Sequence, residues 1–213
     1  MNSAGDAFAF PFRSPNWLGT MVVQALILII PIIGQIALLG WLLATVDNLR
    51  AGRQELAPAG FYLGRGIALF GVELIYGIAL FIIPGILQGV GSAMLSQSTA
   101  GGAVLVTLAV LLEVAASLLL AFLLPVLILR TSEFGFSGGM DVGAVWKQAT
   151  ADVTQTVVAA LLVWVAGIIA GIGIVVCFVG VFLTSVYAHA VMAGVVSWYE
   201  RTRALSPGPS TAV

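Results

Sequence analysis

Apolar residues along this chain come in long unbroken runs rather than in alternation, and polar residues gather in short segments between them. Four runs stand out: Leu18 to Val46, Ile67 to Leu95, Ala103 to Leu129, and Val157 to Tyr199. A bilayer core about 30 Å thick takes roughly 20 helical residues, so the last run is too long for one crossing and must fold back. Cys177-Phe178-Val179-Gly180 offers the turn, because glycine leaves the helical region at little cost. The first run carries Pro31-Ile32-Ile33-Gly34 near its middle, a helix-breaking signal that divides it into two pieces near the lower length limit of a span. The pattern predicts an all-α integral membrane protein of six transmembrane helices in three hairpins, at 17–33, 34–50, 66–93, 103–130, 154–177 and 180–200. One membrane-embedded domain covers 1–204, and 205–213, rich in Ser and Pro, reads as a disordered tail.

Charge fixes the expected orientation. All eight basic residues (Arg13, Arg50, Arg53, Arg65, Arg130, Lys147, Arg201 and Arg203) fall on one side of a six-span arrangement. The opposite turns, at Pro31 to Gly34, Met94 to Gly102 and Cys177 to Gly180, carry none. The positive-inside rule then puts both termini in the cytoplasm of a cell-membrane protein. A re-entrant first hairpin gives the same sidedness, so charge does not separate it from a full double crossing.

The cytoplasmic segments have patterns of their own. Phe8, Phe10, Phe12 and Trp17 around Pro11 and Pro15 make a stiff aromatic arm suited to the headgroup region. Between Asp141 and Val153, the residues Val142, Val145, Trp146, Ala149 and Val153 follow helical spacing and predict an interfacial amphipathic helix. Asp6 to Phe10 resembles Glu133 to Phe136, a weak sign of a parallel internal repeat.

Composition narrows the function classes. A chain of 213 residues that is 61% hydrophobic and 8% charged leaves little polar surface to work with. Its net charge of −1 gives no basic surface for nucleic acid. One cysteine and one histidine leave no disulfide framework, no multi-cysteine metal site and few catalytic constellations, so no cofactor and no enzyme activity are expected. Gly135-Phe136-Ser137-Gly138-Gly139 matches the spacing of a nucleophile elbow, but no strand precedes it and the only histidine is distant in the chain.

Phe10-Pro11-Phe12-Arg13-Ser14-Pro15-Asn16-Trp17, Ile30-Pro31-Ile32-Ile33-Gly34, Leu39-Gly40-Trp41, Cys177-Phe178-Val179-Gly180 and Thr184-Ser185-Val186-Tyr187-Ala188 together resemble the prokaryotic multi-pass membrane proteins grouped as domain-of-unknown-function family 4013. Those motifs are structural punctuation, so the resemblance implies a membrane fold and no activity.

Candidate chemistry is therefore confined to polar residues inside the spans. An ionisable group at the bilayer centre costs on the order of 2.5–3.5 kcal/mol, which marks Glu73, Glu113 and His189. Helix rise puts Glu73 and His189 at similar depth, about 12–18 Å from the cytoplasmic edge, where a contact between them is feasible. Glu113 falls nearer the outer face, and Gln24, Gln88 and Thr184 read as interhelical hydrogen-bonders. The expected partners are the lipid bilayer and, within it, further copies or other membrane proteins. Two functions remain open: a non-catalytic scaffold or partner-binding component, and a small transporter or channel with a polar site around Glu73 and His189.

Overall fold

A computed structural model describes residues 3, 5–97, 100–176 and 180–205. Among these residues the regular elements are helical and there is no strand. A short helix α1 (Asp6–Ala9) runs into a 3-10 turn (Phe10–Arg13) and is followed by α2 (Trp17–Leu28), α3 (Ile33–Arg50), α4 (Leu63–Leu95) and α5 (Ala100–Met140). The chain continues through α6 (Val142–Ala151), α7 (Val153–Val176) and α8 (Gly180–Leu205). Among the described residues four helices, α4, α5, α7 and α8, are long and apolar enough to cross a membrane. Both α4 and α5 continue through their internal prolines, Pro84 and Pro125.

Packing divides these helices by role. Helix α3 is the most enclosed, with Leu38, Leu39, Trp41, Leu42, Leu43, Val46 and Leu49 buried, and it packs against α2, α4, α5 and α8. Its closest approach is to α4, where a side chain on Gly66 would run into the carbonyl oxygen of Ile36, so only glycine fits there. Helix α4 packs chiefly on α5, and α7 on α8, while α5 joins the two pairs. The outward faces of α4 and α5 leave Ile78, Ile82, Ile86, Leu108, Leu111 and Leu118 exposed. So broad an apolar surface suits contact with lipid, not water.

The first helical pair is shorter than the hydrophobic run from which it forms. Helix α2 stops at Leu28, and residues 29–32 form the turn although Ile29, Ile30 and Ile32 are apolar. Ile32 sits at φ 64°, a strained conformation for a β-branched residue. The 12 residues of α2 rise about 18 Å, and the 18 of α3 about 27 Å.

Three further segments complete the bundle. The loop 51–62 folds onto the bundle: Trp41 Nε1 donates to the carbonyl of Ala57 at 2.8 Å, and Ala57 N donates to Thr45 Oγ1 at 3.3 Å. These bonds satisfy backbone groups that burial of Leu56 and Ala57 removes from water. The aromatic arm docks on α8, with Phe10 fully buried, Phe12 half exposed and Tyr187 donating its hydroxyl hydrogen to the Phe8 carbonyl at 2.9 Å. Phe12 meets Trp17 edge-on at 5.0 Å. The amphipathic helix ends at Ala151, not at Val153, because Asp152 leaves helical geometry and caps α7 by accepting from Gln155 N at 3.0 Å.

Helix α5 breaks at Gly135, whose φ of 66° suits glycine. The segment beyond it folds back, so that Arg130 Nε donates to the Gly138 carbonyl at 3.0 Å and Tyr76 donates to the Gly139 carbonyl at 3.2 Å. Gly135 to Gly139 thus forms a structural clasp. Glu133 to Phe136 and the N-terminal arm adopt different conformations, and the repeat suggested by their sequences is absent there. The turn at Cys177 to Val179 and the tail 206–213 lie outside the described residues.

Candidate functional site

Glu73 and His189 belong to helices that do not pack on each other. His189 Nδ1 is 2.8 Å from the Ser185 carbonyl one turn earlier in its own helix, and no hydrogen bond joins it to Glu73 among the described residues. Depth along the helices is readable from charge, whereas neighbourhood around the bundle is not. Glu113 lies half-buried on α5. Gln24 is fully buried, accepts from Gly60 N at 3.0 Å, and has no partner for its Nε2 among the described residues. Gln24 therefore anchors the folded-in loop 51–62, and the four candidate residues do not form one cluster. Thr184 donates to the Ala170 carbonyl at 2.9 Å, the interhelical role its sequence suggests.

Sequence reasoning missed a charged cluster at the helix ends. Arg50 Nε lies 2.9 and 2.8 Å from the two carboxylate oxygens of Glu200, and Arg50 Nη2 lies 3.3 Å from Glu133. Arg65 pairs with Asp47 and also donates to the Ser132 carbonyl at 3.3 Å. Arg201 caps α3 by donating to the Leu49 carbonyl at 2.8 Å. The ends of α3, α5 and α8 and the start of α4 are fastened together by these pairs. The available signal was the recurrence of acid and arginine at helix ends on one side, in Asp47, Arg50, Arg65, Glu133 and Glu200-Arg201. With each arginine engaged, the cluster offers fastening rather than a free anion site. Among the described residues no three His, Cys, Asp or Glu side chains stand where they could hold a metal ion.

The recesses that the helices leave are of a different character. One of about 420 Å³ opens between Phe81 on α4, Ser117 and Leu124 on α5, Trp164 and Gly167 on α7, and Met192 on α8. A second, of about 260 Å³, continues between α5 and α7 and shares Ala121 and Trp164 with the first. A third, of about 250 Å³, lies between the arm, α2 and α8. Glu73, Glu113, His189 and Gln24 line none of these three.

The model of a family described as a protein of unknown function, DUF4013, matches residues 23–196, from within α2 to near the end of α8. That stretch includes the motifs at Ile30 to Gly34, Leu39 to Trp41 and Thr184 to Ala188, while the aromatic arm precedes it. No curated protein and no solved structure matches the chain. With most of its length and its long apolar helices inside that match, the chain belongs to the DUF4013 family of membrane proteins.

Proposed function

We propose that this protein is a non-catalytic membrane component that binds and organises partners within the bilayer. The observation that carries this is the separation of Glu73 from His189. A transporter needs a continuous polar path, yet Glu73 and His189 sit on helices that do not pack on each other, and the recess between the four long helices is lined mainly by apolar and aromatic side chains. Gln24 is committed to holding a loop.

The proposed topology has both termini and α6 on the cytoplasmic side, with α4, α5, α7 and α8 crossing and the α2–α3 hairpin entering and returning. Supporting this, α2 at about 18 Å falls short of a bilayer core of about 30 Å. The charged cluster joins helix ends that this topology puts on the basic, inner side. On α6, Val145 and Ala149 are buried while Val142 and Trp146 are exposed beside Lys147, a pattern suited to the headgroup layer.

Replacing Glu73 by Gln tests the function. The variant is expected to insert and fold normally, and proteoliposomes with either form should pass protons no faster than protein-free vesicles, read with an entrapped pH-sensitive dye. A proton flux in wild type that the folded E73Q variant abolishes would overturn the scaffold reading in favour of transport.

A further inference from the structure

The recess at the junction of α4, α5, α7 and α8 has chemistry along its rim as well as volume. At about 420 Å³ it lies within the range of small-molecule sites, roughly 300–1,000 Å³, which combine apolar walls with a few placed polar groups. Side chains three, four and seven residues apart share one face of a helix. On α5, Glu113 is four residues before the lining residue Ser117, about 6 Å along the same face. On α4, Gln88 is seven residues beyond the lining residue Phe81, about 10 Å along. On α8, His189 is three residues before Met192, about 4–5 Å along.

All three displacements run toward the same end of the bundle. Helices α4 and α5 are antiparallel neighbours whose Gly91 and Gly102 meet near their connection. Helices α7 and α8 are joined near theirs by the Thr184 to Ala170 bond. The opposite end is tied by Glu133 and Glu200 through Arg50. The rim groups therefore lie beyond one end of the recess rather than around it.

Each of the three offers an acceptor. Gln88 Oε1 is buried without a donor among the described residues. The Ser185 carbonyl can only accept, so Nδ1 of His189 carries a proton, and in the neutral ring Nε2 keeps a lone pair. Glu113 has no partner among the described residues and brings a carboxyl group. Three acceptors above an apolar recess complement a ligand with a hydrocarbon body and a donor-rich, cationic head.

We infer that this recess binds an amphipathic amine, its chain lying between Phe81, Leu124, Trp164 and Met192 and its ammonium group directed to Glu113 and Gln88. Gly167 gives the chain room, since nothing lies within 4 Å of the side chain it lacks. The inference goes beyond partner binding as proposed above and does not require it.

Trp164, in the wall, provides the readout. Full-length protein in phosphatidylcholine nanodiscs is titrated with chain-brominated hexadecylamine, and quenching of the Trp164 component is taken as the difference between wild type and W164F. Brominated palmitic acid and its methyl ester serve as the anionic and neutral probes. Quenching by the amine should saturate with an affinity at least tenfold above that of either comparison probe. G167L, which fills open space, should abolish it, and E113Q should weaken it about tenfold, with Q88L replacing E113Q if that variant does not insert. Equal quenching by amine and acid, as ordinary lipid partitioning gives, overturns the inference. So does absence of saturable quenching, the outcome if a second copy of the chain or a tightly held lipid fills the recess, and so does an amine affinity unchanged in G167L or in the rim variant.

Discussion

Glycine has opposite roles at different points of one helix. At Gly66 the added Cβ of alanine would meet the Ile36 backbone, which cannot swing aside, whereas at Gly85 nothing lies within 4 Å. Overpacking costs typically about 1–3 kcal/mol, and replacing a mid-helix glycine by alanine gains about 0.5–1 kcal/mol where space is free. Gly66→Ala is thus expected to lower the unfolding midpoint in detergent, and Gly85→Ala to raise it slightly. Equal shifts would mean that α3 and α4 do not approach as closely as described. The Gly85-x-x-x-Gly89 and Gly167-x-x-x-Gly171 spacings are legible in the sequence, but which glycines meet a neighbour is not. All four of these face open space, and close contacts between neighbouring elements fall instead at glycines such as Gly34, Gly40, Gly66, Gly91, Gly102, Gly139 and Gly173.

Among the elements, the most legible helices are those whose apolar runs end in charge or glycine. The expected spans 66–93 and 180–200 correspond to α4 at Leu63–Leu95 and α8 at Gly180–Leu205. Helix α2 ends early because hydropathy cannot distinguish an apolar turn from an apolar helix, and Ile29 to Ile32 is such a turn. Asp152 carries a readable signal, an acid just before Val153-Thr154-Gln155, yet the helical spacing of apolar positions continues across it and hides the boundary. Ala149 and Val153 fall on two helices, not one. The Glu73 and His189 pairing fails for a geometric reason: helix rise gives depth, but azimuth and neighbour order come only from packing. The charged cluster joins residues up to 152 positions apart, so the acids and arginines at the helix ends do not reveal their pairing. It makes its own prediction. Hydrogen bonds to charged groups contribute about 1.5–3 kcal/mol, so Arg50→Met is expected to destabilise the fold by that order in detergent unfolding. Adding Glu200→Met should recover part of the loss, because an unpaired carboxylate is removed. Strictly additive effects of the two substitutions would show that the pair is not coupled.

For the whole molecule, these pairs join the ends of helices whose opposite ends carry no basic residue in their turns. The arm, the loop 51–62 and the segment after Gly135 are likewise bonded to the bundle. Sidedness is accordingly the claim on which the account depends most. Single cysteines at Gln97, Gln54 and Ala204, introduced into a Cys177→Ser background, place reporters after α4, in the loop before it and near the end of α8. With a membrane-impermeant thiol reagent on intact cells, Gln97→Cys should be labelled from outside, and Gln54→Cys and Ala204→Cys only after permeabilisation. Labelling of Gln54→Cys or Ala204→Cys in intact cells, or of Gln97→Cys only after permeabilisation, would contradict the proposed topology.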